Sequence, residues 1–496
     1  MPNFHNTISR RDFMKATGLV GAGLGTAGVA SPIFHDLDEI TQNGVATKQP
    51  WWIKENDPGK LTVEYDWNLM KNPNELDSMH GNAMKSTAST GLFGIDPSST
   101  WRRTLGQEKS QQVLDDMYKT LHDGVANNRP GFQLRDVALH TGAYFRDAMQ
   151  PFYDVAPDSK RWGNSTKWQG TPEETSQMIR TAARFYGAAN ARCGELTTDE
   201  HKLFFTHDVD GLPIVFEDVD YAYVTSEKRV LPKNKKYYYI SVTIHMSKEL
   251  FRQGQSCLRH AANLSRYRQW RDVHNGLCNF ISVLGYQSFG YYYHPYGLVP
   301  SQAHALLSGH AEIARNNNFC ISPDWGSVQG YFTLLTTLPL AQSNPIDAGI
   351  SRFCNTCKKC AEACPQQCIS YEDEPSWEIP NSKVAPNAPT TYSTPGKKTY
   401  HTDSVACMTQ WMSLYHGCGV CMGTCVFNVN SKSMVHQMVK STIGTTPIFN
   451  AFLKKADVFF GYGITPPEEF EDWWDMNLPV LGTDSTFNST VGGYNK

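Results

Sequence analysis

Four cysteines, Cys354, Cys357, Cys360 and Cys364, are separated by two, two and three residues and followed at once by Pro365. Three thiolates on so tight a loop can converge on one iron–sulfur cubane. The run CxxCxxCxxxCP is the bacterial ferredoxin pattern, in which the fourth cysteine serves a second cluster. The pattern therefore predicts a second group, and one follows: Cys407, then Cys418, Cys421 and Cys425. The expected partition is Cys354, Cys357, Cys360 and Cys425 for one [4Fe–4S] cluster and Cys407, Cys418, Cys421 and Cys364 for the other. Ten residues separate Cys407 from Cys418, and Val426 stands where a proline is usual. Zinc, which also uses paired CxxC elements, and disulfides compete for the same thiols. Cys368 is left over and reads as structural.

Nine of the thirteen cysteines fall between Cys354 and Cys425, whereas Cys193, Cys257, Cys278 and Cys320 are scattered upstream. Clustered thiols in a chain of 496 residues, long enough to bury two or three cores without disulfides, read as metal ligation. The scattered ones read as small buried hydrophobes. Two clusters a short hop apart form a wire, and a wire must end at a reacting centre, which the residues before Cys354 are placed to supply. No GxGxxG opens a strand–helix unit and no Walker loop is present, so nicotinamide, a Rossmann-bound flavin and ATP are unsupported. The segment DVHNG, Asp272 to Gly276, approaches the DxHxxG that gives some cobalamin enzymes an axial histidine. Its glycine comes one residue early and His274 falls inside a predicted helix, so it reads as a helical histidine. A formal charge of −3 without a long basic block argues against nucleic acid as a partner.

The elements that must hold this chemistry are partly legible. Thr171, Pro172 and Glu174 make a helix start with a capping box, and Met178, Ala182, Phe185 and Ala189 mark one expected buried stripe. Lys235 to Met246 is rich in β-branched and aromatic residues and reads as a strand. A long helix is expected within Leu258 to Leu284, where Tyr267, Trp270, Val273, Leu277, Ile281 and Leu284 recur at three- and four-residue intervals. Helices alternating with strands point to an α/β or α+β core. Tyr371 to Asp403, punctuated by five prolines, reads as an irregular surface insertion.

At the N-terminus, Arg10 and Arg11 precede an uncharged, glycine-rich and only weakly apolar stretch, Ala16 to Phe34. Twin arginines before such a stretch resemble a Tat export signal with a small-residue cleavage site near Ala30; a frayed terminus with a chance arginine pair is the bland alternative. Export of a folded protein suits an enzyme that loads its cofactors in the cytoplasm.

Together the leader, ISPDWG (321–326), LPLAQSNPIDAG (338–349), FCNTCKKCAEACP (353–365) and the Cys407, Cys418, Cys421 and Cys425 set resemble the respiratory reductive dehalogenases of the chloroethene type. The match is dense from Tyr267 to Cys425, returns in GYGITPPEEFEDWW (461–474), and is thin from His35 to Arg129. The resemblance implies a cobalamin-type corrinoid in a nitroreductase-like core, its lower axial base detached. A C-terminal ferredoxin-like module would carry electrons to the cobalt. Co(I) forms only at very low potential, within reach of [4Fe–4S] centres, whose range extends down to about −700 mV. It also implies a small halogenated substrate, a small membrane-anchor protein, a respiratory electron donor, and a peripheral position on the outer face of the cytoplasmic membrane.

In the tetrachloroethene-reducing members a tyrosine proton donor lies a fixed distance before an LGY segment, and the corresponding position here is Tyr267. A phenol donates poorly unless a cation stabilises its phenolate. The arginine that does so in those members matches Gly330 here, so Arg266, Arg268, Arg271 or His294 must approach Tyr267, or the donor differs. Without the resemblance, Tyr267 on an apolar stripe reads as core packing. Trp411, four residues after Cys407, matches a tryptophan of the family's pocket; packing around the cluster loop is the competing reading. FGYYYHPYG (289–297) aligns loosely with a pocket segment, making Tyr291, Tyr292, Tyr293 and His294 candidates for an aromatic wall.

The expected organisation is a Tat signal region at 1–34, an N-terminal segment at 35–130 and a corrinoid-binding core at 131–345. A two-cluster module at 346–430, with its insertion at 371–403, and a tail at 431–496 complete it. An epoxyqueuosine reductase-like corrinoid enzyme, which acts on tRNA in the cytoplasm, and an exported iron–sulfur electron-transfer subunit are the competing functions.

Overall fold

The computed structural model describes residues 49–77, 100–137, 167–208, 211–290, 297–387, 393–415, 417–429 and 434–475. The twin-arginine leader and the Tyr291–Tyr296 stretch, with Tyr293 and His294, lie outside these residues. Helix α1 (Gln107–Ala126) is followed by α2 (Pro172–Phe185), strands β1 (Asn190–Glu195) and β2 (Tyr238–His245), helix α3 (Cys257–Val283), β3 (Ser288–Phe289), α4 (Ser301–Leu307) and β4 (Gln329–Thr336). The cysteine-bearing segment adds α5 (Ile350–Cys357), α6 (Lys359–Ala363), α7 (Ser404–Ser413) and α8 (Val420–Gly423), and the tail adds α9 (Met434–Thr445) and α10 (Asn450–Phe459).

The central sheet has the order β1-β2-β4-β3 and is antiparallel throughout, so the core is α+β. Strand β2 reads YYISVTIH and is buried along almost its whole length because both its faces are covered. On one side Ile240, Val242 and Ile244 pack with Phe332 and Leu334 of β4 against Tyr267, Trp270, Val273, Leu277 and Ile281 of α3. On the other, Tyr239 meets His304 of α4, with ring centroids 4.6 Å apart. The expected α3 stripe is therefore the core face, and Cys193, Cys257, Cys278 and Cys320 are all buried.

Two expectations need correction. Helix α2 has its capping box: Thr171 Oγ1 accepts from the Glu174 amide at 3.2 Å and Glu174 Oε2 from the Thr171 amide at 2.9 Å. Its buried face, however, carries Thr175, Ser176, Ile179 and Ala183, while Phe185 is 86% exposed. Two of those residues are hydroxylic and find partners inside, Thr175 Oγ1 from Trp168 Nε1 and Ser176 Oγ from the Ala341 amide, so apolar spacing pointed to the wrong face. The 371–403 insertion is irregular but not merely superficial: Thr399, Tyr400, His401 and Thr402 are buried.

Candidate functional site

Helix α3 is the axis of the site. Its N-terminal half is buried on more than one face, enclosing Arg259, His260, Asn263 and Arg266 together with its apolar stripe. Tyr267 is held by packing: its ring meets Phe332 edge-on at 5.9 Å, and Phe332 is stacked on Trp270 at 4.7 Å. Arg266 Nη2 donates to the Tyr267 phenol oxygen at 2.6 Å, and the guanidinium carbon lies 4.5 Å from the ring centroid. A Cβ added to Gly330 would lie 2.8 Å from Arg266 Cδ and 2.9 Å from Phe332 Cε2. The missing side chain at Gly330 is thus the room that Arg266 occupies. Arg271 faces Asp272 at 3.7 Å instead.

Arg266 and Tyr267 line a cavity of about 470 Å³, within the range of small-molecule and cofactor sites. Its apolar wall includes Phe205, Val299, Phe319 and Phe332, and its polar rim includes Asn72, Asn74 and Gln302. Ser393, Thr394 and Pro395 of the insertion also reach it. Two buried polar atoms on this wall, Arg266 Nε and Gln329 Oε1, have no partner among the described residues. A buried polar atom without a protein partner on a cavity wall is available to a bound ligand or water. A macrocycle with an apolar face and an amide-bearing periphery fits such a lining.

A second cavity is bounded by Cys354, Cys357, Cys360 and Cys425, the four thiols that spacing assigned to one cluster. Among the described residues no three thiol, imidazole or carboxylate groups converge tightly enough for a single metal ion. Thiols spread around a hollow instead suit a cubane, whose irons separate its ligands. Burial drives all four thiols up, Cys425 to about 12, so their thiolates form only beside metal charge. In the other set, Cys364 lies within electrostatic reach of both Cys418 and Cys421. Cys368 lies between Cys364 and Cys407: its amide donates to Cys364 Sγ at 3.3 Å, and its thiol interacts with that of Cys407. Cys360 also faces Cys421, so the two sets adjoin.

Residues that spacing could not reveal fix the first loop. Arg315, 1% exposed, donates to the carbonyls of Cys354 (3.0 Å), Asn355 (3.1 Å), Ser370 (2.8 Å) and Glu372 (2.8 Å), and lies over the Tyr400 ring. Glu312 accepts from the amides of Ala348 (2.6 Å), Ile350 (3.3 Å) and Ser351 (3.2 Å), capping α5 from outside the helix. Lys359 pairs with buried Asp457 of α10, tying the tail to the cysteine loop.

Trp411 sits on α7 and is partly buried against a cluster that includes Trp101, Met117, Met408 and Met412; it is not among the described residues lining the large cavity. His274 is a buried helical residue whose Nε2 lies 3.6 Å from Cys278 Sγ. Among the described residues no helix is long and apolar enough to cross a membrane.

A family model described as "Reductive dehalogenase subunit" matches residues 48–212 and 208–340, more than half of the chain. The chain is 28% identical to the chloroethene reductive dehalogenase of Dehalococcoides mccartyi (strain VS), covering 98% of this chain and 99% of that one. It is 27% identical to the trichloroethene reductive dehalogenase of Dehalococcoides mccartyi (strain ATCC BAA-2266 / KCTC 15142 / 195), covering 97% and 98%. The solved catabolic reductive dehalogenase NpRdhA superposes with a TM-score of 0.57 at 16% identity, over 83% of this chain but about half (49%) of that longer one. A further reductive dehalogenase structure, described as suggesting a mechanism for B12-dependent dehalogenation, gives a TM-score of 0.56 at 16% identity, again over 83% of this chain and 49% of that one.

Proposed function

The chain belongs to the reductive dehalogenase family of oxidoreductases, and on that premise we propose that it reductively removes halogen from a small chlorinated organic, chlorinated ethenes first, at the cavity lined by Arg266 and Tyr267. Near-complete coverage of two dehalogenases named for chloroethenes supports that substrate class. The mixed wall of the cavity and its two unpartnered polar atoms, Arg266 Nε and Gln329 Oε1, support a corrinoid as resident cofactor. When bound, a corrinoid supplies the low-potential cobalt chemistry that breaks a carbon–halogen bond, and two [4Fe–4S] clusters on the eight thiols supply one-electron relay.

The protein's own part is proton supply, orientation and dryness. Replacing halogen by hydrogen consumes two electrons and one proton and releases halide. The Tyr267 phenol donates that proton, and the Arg266 guanidinium, already bonded to its oxygen, carries the countercharge of the phenolate. Stacking of Phe332 on Trp270 fixes the phenol, so little reorganisation accompanies proton transfer. Phe205, Val299 and Phe319 exclude water from the wall where charge develops.

In this reading the core is nitroreductase-like and the 346–430 segment is a ferredoxin-like module. Arg10 and Arg11 ahead of the weakly apolar stretch support export by Tat and a peripheral place on the outer face of the cytoplasmic membrane. Such a place requires a small anchor protein and a respiratory electron donor. The observation that carries the proposal is the buried guanidinium bonded to a phenol on the wall of the large cavity. The test is the visible spectrum of the matured protein and its acid extract, with turnover on chlorinated ethenes, ethanes and aromatics. A protein without corrinoid, or one inactive on the whole panel, would remove the proposal.

A further inference from the structure

We propose that Arg259 is an electrostatic positioning residue shared by the two halves of the site: its buried guanidinium raises the reduction potential of the cluster held by Cys418 and Cys421 and links that potential to the Arg266–Tyr267 pair. The inference rests on the reading that those thiols ligate an iron–sulfur cluster.

Arg259 and Arg266 lie seven residues apart on α3, two turns or about 10 Å along one helix face. Ser256 Oγ accepts from the Arg259 amide at 3.0 Å and fixes the first turn. The guanidinium lies 4.7 Å from the centroid of the Phe251 ring. The loop carrying the two thiols is laid against this turn: the Gly419 amide donates to the Gly254 carbonyl at 3.0 Å, and Gln255 bridges to Cys418. A Cβ at Gly419 would overlap Arg259 Nε, so between Cys418 and Val420 only a glycine leaves room for the cation.

Arg259 is 3% exposed, and a buried guanidinium costs several kcal/mol of desolvation unless it faces compensating charge. A guanidinium stays protonated at neutral pH even when buried. Among the groups it faces, Cys418, Cys421 and Tyr267 favour its charge when they are ionised or metal-bound, whereas Arg266 is a like charge that opposes it. The other thiol set faces different cations, Arg315 at Cys354 and Lys454 and Lys359 at Cys357. One cation therefore stands between the second set and the proton donor.

The consequence is Coulombic. A cluster gains one negative charge on one-electron reduction, and a fixed cation in a water-poor site stabilises that form, raising the potential. The same guanidinium adds to the positive field at the Tyr267 oxygen. Charge arriving on the second set offsets that field, and charge leaving it toward the cavity restores it, when the phenol must release its proton. By linkage the influence is reciprocal.

The experiment is an anaerobic redox titration, followed by electron paramagnetic resonance, of the matured protein and of Arg259→Gln and Arg259→Lys. In Arg259→Gln one cluster midpoint falls by at least tenfold in the one-electron equilibrium, about 59 mV, while the other stays fixed; Arg259→Lys recovers at least half of the shift. Full iron content with both midpoints unchanged in Arg259→Gln overturns the inference and leaves the cluster reading standing. Loss of the second cluster in Arg259→Gln with its retention in Arg259→Lys upholds the need for charge, and loss in both overturns it. A wild-type protein without clusters overturns the inference and the reading together.

Discussion

Arg266 and Tyr267 are consecutive residues on one helix, yet their side chains meet: the guanidinium bonds the phenol oxygen at 2.6 Å in the space that Gly330 leaves open. Tyr267→Phe should lower dehalogenation roughly 10²- to 10⁴-fold, the range for a positioned proton donor, with corrinoid and iron content unchanged. Arg266→Gln should fall in the same direction by a smaller factor. Gly330→Ala is a complementary test, because it keeps both side chains while its added Cβ crowds Arg266 Cδ and, beside it, Phe332 Cε2. Wild-type turnover in Tyr267→Phe would remove the phenol from the mechanism; wild-type turnover in Gly330→Ala would show that the arginine's placement is immaterial.

The pairing also shows where a sequence stops being informative. Side chains at consecutive helical positions do not ordinarily face each other, so Arg266 could be no more than one of several candidate cations until Gly330 and Phe332 on β4 were brought beside it. Ligand spacing is a local property of the chain, so cysteine sets can be proposed from it; of these, Cys354, Cys357, Cys360 and Cys425 border one cavity. The α3 stripe was legible because one periodic face meets one sheet. The α2 face was not, since Thr175 and Ser176 bury hydroxyls whose partners lie elsewhere. Arg259, Arg315 and Glu312 belong to no pattern at all; a buried charge is recognised only through the groups folded around it.

The cysteine assignment separates Cys360 from Cys368. Cys360→Ser should remove the cluster bounded by Cys354, Cys357 and Cys425, lowering iron from about eight atoms per chain toward four and abolishing electron delivery. Cys368→Ala removes a thiol beside Cys364 and Cys407 that the partition leaves without iron, so it should keep full iron content. Iron and sulfide determination on both variants decides the matter. Equal losses in the two would show that the partition is wrong.

Glu200 supplies a pH test independent of any cofactor. Burial, helped by neighbouring Asp199, raises its pKa from 4.5 to about 7 despite a hydrogen bond from the Thr197 amide. A folded pKa above the unfolded one means the folded protein binds this proton more tightly. Its contribution is therefore fully present below 4.5 and is lost as pH rises through 7. Glu200→Gln keeps an acceptor for Thr197 without the charge. It should stabilise the fold by roughly 1–3 kcal/mol at pH 8, at about 1.4 kcal/mol per pH unit, and by little at pH 5. Thermal unfolding of wild type and variant at the two pH values measures the difference; an equal effect at both would dissociate it from ionisation.

Arg315 acts through the backbone. Its three nitrogens hold four carbonyls, on Cys354, Asn355, Ser370 and Glu372, so one rigid fork joins the first cysteine loop to the segment beyond Cys368. Lysine keeps the charge but offers a point donor that cannot span this set. Leaving the buried Cys354 carbonyl unpaired costs about 1–3 kcal/mol, and the part-buried carbonyls of Asn355, Ser370 and Glu372 lose the same donor. Arg315→Lys should therefore lose iron from the first cluster on mild chelation well before wild type does, while the second cluster persists. Glu312→Gln tests the other end of the loop, since the carboxylate spans three amides of the α5 start and an amide side chain has only one acceptor oxygen. The same selective iron loss in both variants, read by chelator-release kinetics, would assign the loop's rigidity to these two buried charges. Wild-type release rates would mean that the cluster alone holds its loop.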